Sequence, residues 1–229
     1  MPALTPALAT TQTQNRSIRM PCTPSAHTLT GALEMMGAPM SFTRDEEIYG
    51  DAEPADYLYK VVSGAVRMYK ILSDGRRQIG AFYFLGDIFG LESGGQHSSS
   101  AEAIGDVTVL IFKRSAVFAR AASDSDIAHE LWEMTARELD RAHDHMLLLI
   151  KSAQERVASF LLEMTGRASG SNEVALPMSR QDIADFLGLT IETVSRCISR
   201  LENVHAIALP SSRRVGFCNR AMLSRLTAS

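Results

Sequence analysis

The chain has 229 residues and a mass of 25.0 kDa, which suits one large domain or two modest ones. Its hydrophobic share of 45% supplies enough apolar material for real cores and excludes collagen-like, wholly disordered and supercharged proteins. The sequence has no run of about 18 apolar residues, so we expect no membrane span. The three cysteines, Cys22, Cys197 and Cys218, are odd in number and widely spaced, which favours reduced thiols in the cytoplasm over a disulfide framework.

The N-terminal segment, residues 1–28, is rich in Thr, Ala, Pro and Gln. It lacks the continuous apolar stretch of a secretory signal peptide. Such a composition buries too little apolar surface to offset the entropy lost on ordering, so we predict a disordered arm.

The next segment, residues 29–122, has the two-residue alternation of β-strands. We predict strands over 57–62, 65–72, 78–84 and 107–112. Asp74-Gly75 lies between the second and third strands and predicts a hairpin in which both central residues take positive φ. Many short strands at this spacing indicate a β-sandwich, jelly roll or barrel, so this segment is predicted to be an all-β domain.

A helical period follows, and we predict one long helix that fills most of residues 123–168. Small or apolar residues recur there at the alternating spacing of a heptad seam, at Thr135, Leu139, Ala142, Met146, Leu149 and Ala153. Such a seam packs most simply against a second copy of the chain, so its last five members are the predicted dimer interface. The alternative is that the helix packs only on its own β-domain.

The last segment, residues 169–229, begins after a Gly- and Ser-rich turn and contains two short helical patterns. Ser179 and Asp182 predict an acidic capping box at the start of the first helix, which ends at Gly188. Thr190 is the predicted N-cap of the second helix. The apolar stripe of that helix consists of Ile191, Val194, Ile198 and Leu201.

Two helices joined by a short glycine-containing turn are typical of a helix-turn-helix, whose second helix enters the major groove of DNA. Apolar runs at 206–209 and 215–218 predict a β-hairpin after it, and Asn219 is a predicted cap for a closing helix. Together these elements indicate a winged helix-turn-helix, although an ordinary pair of antiparallel helices shares much of the pattern.

Charge is distributed unevenly along the chain. The net charge is −3, but residues 179–229 hold seven arginines against four acidic residues. A positive C-terminal segment beside a negative remainder is typical of a protein in which one part meets a polyanion.

The exposed side of the second helix carries the predicted contacts to DNA bases. Glu192, Ser195 and Arg196 are spaced so that they share one stripe near the N-terminal end of this helix. An arginine fork matches O6 and N7 of guanine, and a glutamate accepts a hydrogen bond from N4 of cytosine. The predicted phosphate contacts are Arg180, Thr190, Thr193, Arg200, Arg213 and Arg214.

Residues 189–196, Leu-Thr-Ile-Glu-Thr-Val-Ser-Arg, resemble the recognition helix of the CRP/FNR family of transcription regulators, with the Glu-x-x-Ser-Arg pattern of its FNR and FixK branch. The Gly86–Gly90 turn and the Ala-Gln-Glu-Arg-Val-Ala run at 153–158 are also similar to that family. The resemblance covers about residues 29–226 and implies an α+β fold: an N-terminal jelly roll of the cyclic-nucleotide-binding type, a long dimerisation helix and a C-terminal winged helix-turn-helix domain. It further implies a homodimeric activator that reads a palindrome of TTGA-type half-sites and contacts RNA polymerase.

The sensor residues of the family's ligand-binding branches are missing here. The cyclic-AMP branch needs a Glu just after the turn and an Arg-Ser pair, where this chain has Leu91 and Ser99-Ser100. The oxygen-sensing branch needs four thiolates for an iron–sulfur cluster, and only Cys22 remains of its N-terminal cysteines.

The histidines give only weak support for a bound cofactor. We predict that His97, alone in a Gly- and Ser-rich loop, is solvent-exposed, and that the other histidines, His145 among them, lie at the surface. The resemblance therefore implies a FixK-like regulator with no bound effector, cofactor or metal, which acts in a low-oxygen or nitrogen-oxide response. The alternative is an allosteric receptor whose DNA binding requires a ligand, such as a cyclic nucleotide or haem.

Cys197 directly follows Arg196, so its oxidation would place bulk and charge beside the DNA-binding face. The alternative is that it serves as a small buried apolar residue, as most free cysteines do. The sequence has no Walker-type loop, no metal-ligand cluster and no convincing nucleophile–base pair, which argues against an enzyme.

Overall fold

The computed structural model describes residues 31, 36–167 and 172–227. The predicted N-terminal arm, 1–28, lies outside the described residues, and Cys22 lies there with it.

The β-domain consists of two antiparallel four-stranded sheets that pack face to face, as the sequence predicted. The strands are β1 (Ala38–Phe42), β2 (Glu47–Tyr49), β3 (Tyr57–Ser63), β4 (Val66–Ile71), β5 (Arg77–Tyr83), β6 (Ile88–Phe89), β7 (Ser100–Ala103) and β8 (Val107–Lys113). One sheet has the order β1-β8-β3-β6 and the other the order β2-β7-β4-β5. Apolar side chains from both sheets, such as Val61 and Val66, are fully buried between them, which gives the domain its own core.

The β4–β5 hairpin differs in its turn from the prediction. The N–H of Leu72 donates to the carbonyl of Arg76 at 2.8 Å, so the loop between them has three residues. Gly75 has φ of 83°, whereas Asp74 has no positive φ, so the expectation of two such residues was wrong. A three-residue hairpin loop needs the left-handed conformation at one position, which glycine adopts without steric cost.

The predicted single long helix is wrong: the structure has two helices with a break between them. After α1 (Arg114–Ser123), α2 spans Ser125–Leu149 and α3 spans Ala153–Arg167. The N–H of Ser152 donates to the Glu155 carboxylate at 2.7 Å, and the N–H of Glu155 donates to Oγ of Ser152 at 3.4 Å. This capping box starts a new helix, so Ala153 opens α3 and does not continue the seam of α2.

The C-terminal domain is a winged helix-turn-helix, as predicted, with one strand that the sequence did not reveal. Its elements are β9 (Glu173–Ala175), α4 (Arg180–Leu187), α5 (Ile191–Asn203), β10 (Ile207–Ser211), β11 (Arg214–Phe217) and α6 (Arg220–Thr227). Strand β9 pairs with β11, so the wing is a three-stranded sheet of order β10-β11-β9. Asn219 caps α6 by accepting from the N–H of Met222 at 2.9 Å.

The two domains share apolar packing. The Phe82 ring on β5 lies 5.2 Å from that of Phe186 on α4, and the Phe160 ring on α3 lies 5.7 Å from Phe186. These rings join the β-domain, α3 and the first helix of the helix-turn-helix in one buried cluster. In the described part of the chain, no helix is long and apolar enough to cross a membrane.

Candidate nucleic-acid interface

Helix α4 is set by its two ends. Oγ of Ser179 accepts from the N–H of Asp182 at 3.0 Å, and the Asp182 carboxylate accepts from the N–H of Ser179 at 2.9 Å, which is the predicted capping box. Gly188 ends the helix in the left-handed conformation with φ of 61°. The reversal at Gly188 leaves one residue before the cap of the next helix, so α4 and α5 are joined by a tight turn.

Helix α5 is anchored by its inner face. Thr190 caps it by accepting from the N–H of Thr193 at 3.3 Å. Val194, Ile198 and Leu201 are buried, whereas Ile191 is 36% exposed and does not belong to the buried stripe. The prediction was therefore right for three of the four positions, and Ile191 lies too near the helix start to reach the core.

The outer face of α5 presents the predicted base-contacting residues together. Glu192, Ser195 and Arg196 are all exposed on the side away from the core. The guanidinium of Arg196 donates to Oγ1 of Thr193 at 3.3 Å. The pKa of Glu192 lies below its ordinary value because its own backbone N–H and the Thr190 hydroxyl donate to the carboxylate, with Arg196 nearby. Glu192 is thus a ready hydrogen-bond acceptor beside an arginine fork.

The predicted phosphate contacts surround this face. Nη1 of Arg200 donates to the side-chain oxygen of Gln154 at 3.3 Å, and Arg214 in the wing pairs with Glu173 at 3.2 Å. Arg213 is exposed at the tip of the wing. These three guanidinium groups are accessible from solvent, and their contact with phosphate stays a prediction.

Arg180 is the least accessible member of the predicted phosphate set. Its side chain is half-buried, and its Nη1 has no hydrogen-bond partner among the described residues. Burial lowers the pKa of its guanidinium below the ordinary value. A phosphate contact would require this group to turn outward, and it too stays a prediction.

Cys197 lies half-exposed between the two sides of α5. With Thr193, Arg196 and Arg200 it lines a shallow cleft of about 400 Å³. Burial raises the pKa of the Cys197 thiol, although Arg200 and Arg196 oppose that rise. The thiol is therefore mostly protonated at neutral pH, yet it lies next to two arginines of the predicted DNA-binding face.

Two family models match this chain and agree with its two domains. A cyclic nucleotide-binding domain matches residues 39–124, and a Crp-like helix-turn-helix domain matches residues 155–226. The nitrogen fixation regulation protein FixK of Azorhizobium caulinodans is 52% identical over 83% of this chain and 79% of its own length. The chain belongs to the FixK-like branch of the CRP/FNR family.

Other relatives support the same assignment. FixK of Rhizobium meliloti is 42% identical over 78% of this chain and 85% of its own length. The solved structure of FixK2 from Bradyrhizobium japonicum is 53% identical, covers 85% of this chain and 98% of its own, and has a TM-score of 0.82. The protein is a transcription regulator with a helix-turn-helix DNA-binding domain, and its relatives are regulators and not enzymes.

Four of the five residues of the predicted dimer interface of this FixK-like regulator lie on α2, and the fifth, Ala153, opens α3. Leu139, Ala142 and Met146 are exposed, whereas Leu149 is half-buried and faces Gly188 in the turn of the helix-turn-helix. Trp132, which is absent from the predicted interface, extends the same spacing by one heptad toward the start of α2 and is 71% exposed. Its signal was present, since Trp132 precedes Leu139 by seven residues.

The interior of the β-domain is filled by aromatic side chains. The Phe89 ring lies 5.1 Å from each of the rings of Tyr59 and Tyr83, and the Tyr49 ring lies 5.3 Å from that of Tyr59. His97 is 3% exposed and stacks on Tyr49 at 3.6 Å, so the prediction that it is solvent-exposed was wrong. The ring of Tyr49 shields it, a tertiary contact that loop composition does not reveal.

A cleft of about 960 Å³ separates the β-domain from α2 and α3. Its lining includes Phe84, Glu138, Arg141, Phe186 and His145. His145 is half-buried: its ring stacks on Phe186 at 4.1 Å, and its Nε2 donates to the Phe186 carbonyl at 2.8 Å. The prediction that His145 lies at the surface did not foresee this contact: α4 packs against the ring and leaves it half-buried.

Proposed function

We propose that the protein is a homodimeric transcription activator that binds a palindrome of TTGA-type half-sites without a bound effector. The observation that carries this proposal is the outer face of α5, where Glu192, Ser195 and Arg196 are exposed together. The opposite face of the same helix is buried, so these three side chains have a fixed direction. A helix held in this way can place its N-terminal half in a major groove.

Each residue of this face has a role that its chemistry supports. The Arg196 fork would donate to O6 and N7 of a guanine, and Glu192 would accept from N4 of a cytosine. Ser195 would contact either a base edge or the adjacent phosphate. The phosphate contacts that fix the register on DNA would come from Arg180, Thr190, Thr193, Arg200, Arg213 and Arg214.

The exposed apolar side chains of α2 support the homodimer. Trp132, Leu139 and Met146 follow one another at seven-residue intervals, and each is at least 57% exposed. A row of large apolar residues at heptad spacing is typical of a helix that pairs with another helix. A two-fold dimer would present two copies of α5 to half-sites about one helical turn apart, roughly 34–36 Å.

Effector independence is supported by the packed interior of the β-domain. Stacked rings of Tyr49, Tyr59, Tyr83 and Phe89 occupy the space between its sheets. Burial raises the pKa of Tyr59 to about 12, as expected for a phenol in an apolar interior. Ser99 and Ser100 supply no guanidinium to clamp a phosphate.

The physiological setting is proposed from the relatives. Three of them carry the name nitrogen fixation regulation protein, and another is called a transcriptional activatory protein. We place this protein in a low-oxygen or nitrogen-oxide response, as an activator that contacts RNA polymerase.

One observation favours a second candidate, an allosteric receptor. The cleft of about 960 Å³ next to Arg141 and His145 is within the size range of ligand sites. A ligand in this cleft would contact the β-domain, α2 and α3 at once, and DNA binding would then depend on it.

Titration of the purified protein, without nucleotide or other ligand, against a labelled TTGAT-N4-ATCAA duplex tests the proposal. A scrambled duplex at the same fixed salt concentration is the control, because affinity for DNA depends on salt. Selective binding supports an effector-independent regulator. Equal or absent binding to both duplexes would contradict it and would favour the receptor.

A further inference from the structure

Helix α4 is joined to the β-domain by a cluster of charged side chains. Nη2 of Arg77 on β5 donates to Oδ1 of Asp182 at 2.7 Å, and its Nε donates to Oδ2 of Asp185 at 2.8 Å. Nη1 of Arg67 on β4 also donates to Oδ1 of Asp182, at 3.3 Å. We refer to these four residues, Arg67, Arg77, Asp182 and Asp185, as the interdomain clamp.

Asp182 uses its two oxygens for different partners. Its Oδ2 accepts from the N–H and the hydroxyl of Ser179 and so caps α4, at 2.9 and 2.7 Å. Its Oδ1 accepts from the two arginines of the β-domain. The residue that starts the first helix of the helix-turn-helix is thus also the residue that fixes this helix to the β-domain.

The other end of α4 is held as well. Gln78, the neighbour of Arg77 on β5, donates to the Phe186 carbonyl at 3.2 Å, and His145 on α2 donates to the same carbonyl. Arg156 on α3 donates to the Leu187 carbonyl at 2.9 Å. Donors from three elements therefore satisfy carbonyls that a helix end leaves free.

The clamp does not cover the face that would read DNA. It contacts α4, whereas Glu192, Ser195 and Arg196 on α5 remain exposed. Contact with the β-domain therefore orients the helix-turn-helix without masking it. This arrangement is that of a positioning contact and not of an autoinhibitory one.

We propose that Arg77 is a positioning residue for DNA binding, which holds α4, and through it the recognition helix α5, in one orientation relative to the β-domain. The proposal rests on the proposed function in one respect, namely that α5 binds operator DNA. In this proposal the protein's own side chains orient the helix-turn-helix relative to the β-domain, an effect that a bound ligand would otherwise supply.

The charge balance of the cluster explains why one arginine matters. Arg67 also pairs with Asp45 at 2.8 Å and with Glu102. Removal of the Arg77 charge would leave Asp182 to share Arg67 with two other carboxylates, and Asp185 would lose its ion pair. Like charges would then face each other across the domain interface and favour separation.

The test compares Arg77→Gln with Arg76→Gln in the full-length chain. Both variants remove one positive charge, but Arg76 is 77% exposed and pairs with Asp74 within the hairpin turn. If separated domains reduce the binding-competent population to about a tenth, the operator dissociation constant rises about tenfold for Arg77→Gln. Arg76→Gln should bind as the unaltered protein does.

A distance measurement reports the orientation directly. Spin labels at Asp51→Cys and Ser212→Cys give the distance between the β-domain and the wing. The labelled chain has Cys22, Cys197 and Cys218 replaced by serine. It is diluted with unlabelled protein so that only distances within one chain are measured. We expect a narrow distribution for the parent and for Arg76→Gln, and a broad one for Arg77→Gln that narrows when operator is added. A merely stabilising contact would leave this distribution unchanged in the folded protein.

Unchanged distance and affinity in Arg77→Gln, or tighter binding, would overturn the proposal. If Arg77→Gln does not fold, Asp185→Asn removes the other half of the same pair and should have the same effects. Failure of the parent to select the operator would instead refute the proposed function, and the distance distributions would still decide whether the clamp orients the domain.

Discussion

Asp87, in the turn between β5 and β6, accepts hydrogen bonds from two helices at once. Its Oδ1 lies 3.1 Å from Nη2 of Arg141 on α2, and its Oδ2 lies 2.8 Å from Nη1 of Arg167 at the end of α3. Oδ2 also accepts from the N–H of Phe84 at 2.9 Å. One carboxylate therefore joins the β-domain to both α2 and α3.

Asp87→Ala should lower the free energy of unfolding by about 1–3 kcal/mol, because it removes the shorter ion pair of two partly buried guanidinium groups and the acceptor of one backbone N–H. Arg141 and Arg167 would keep only their longer contacts, to Glu138 at 3.4 Å and to Glu163 at 3.5 Å. Urea unfolding followed by circular dichroism measures the change. Asp51→Ala is the matched control, since Asp51 pairs with Lys70 on the surface, where such pairs contribute little. A similar loss in both variants would contradict the role assigned to Asp87.

Arg196→Ala should weaken operator binding by about 1–3 kcal/mol, and most of the loss should disappear when the contacted base pair is changed. Arg213→Ala, at the wing tip, should weaken binding to every DNA sequence by about the same amount, and this loss should be smaller than that of Arg196→Ala on the operator. Fluorescence anisotropy with a set of single-base-pair variants of the operator distinguishes the two. Equal loss on cognate and scrambled DNA would show that Arg196 contacts only phosphate.

Leu139→Glu should convert the proposed dimer to a monomer, because it places a carboxylate in the middle of the apolar row on α2. Arg137→Gln changes the charge by the same amount on the other side of the helix, where Arg137 pairs with Glu133, and should leave the dimer intact. Analytical ultracentrifugation measures the mass of each variant. A dimeric Leu139→Glu protein would place the interface elsewhere.

Local signals predicted most of the DNA-binding domain. Ser179, Asp182, Gly188 and Thr190 each act within a few residues of their own position, so their roles as caps and turn residues were visible in the sequence. The break between α2 and α3 was also encoded locally, in the Ser152-x-x-Glu155 pattern, but the heptad spacing that continues to Ala153 hid it. The heptad spacing predicted a continuous helix and the capping box predicted a new helix start at the same residues. The structure follows the capping box.

Contacts between distant segments were beyond sequence reasoning. Arg77 and Asp182 are 105 positions apart, and the sequence of either strand or helix gives no sign of the other. His97 was misplaced and the contact of His145 was not foreseen for the same reason, since each is covered by an aromatic ring from another element. The placement of the candidate DNA-reading face on α5 was predictable, whereas its attachment to the β-domain was not.

Cys197 provides the last prediction, which concerns oxidation. Its raised pKa keeps the thiol largely protonated at pH 7, so we expect slow reaction with peroxide there and faster reaction as the pH rises toward that pKa. Once oxidised, the sulfur carries added bulk and charge beside Arg196 and Arg200, so operator binding should fall. Binding before and after peroxide treatment at pH 7 and pH 9, together with thiol labelling, measures both effects.

The Cys197→Ser variant should bind the operator as before and lose its sensitivity to peroxide. Cys218→Ser is the matched control, because Cys218 is exposed after β11 and does not belong to the cleft on α5. It should keep the sensitivity of the parent. If peroxide weakens binding equally in Cys197→Ser, the oxidised group lies elsewhere, and Cys197 serves as an apolar residue at the edge of the buried stripe.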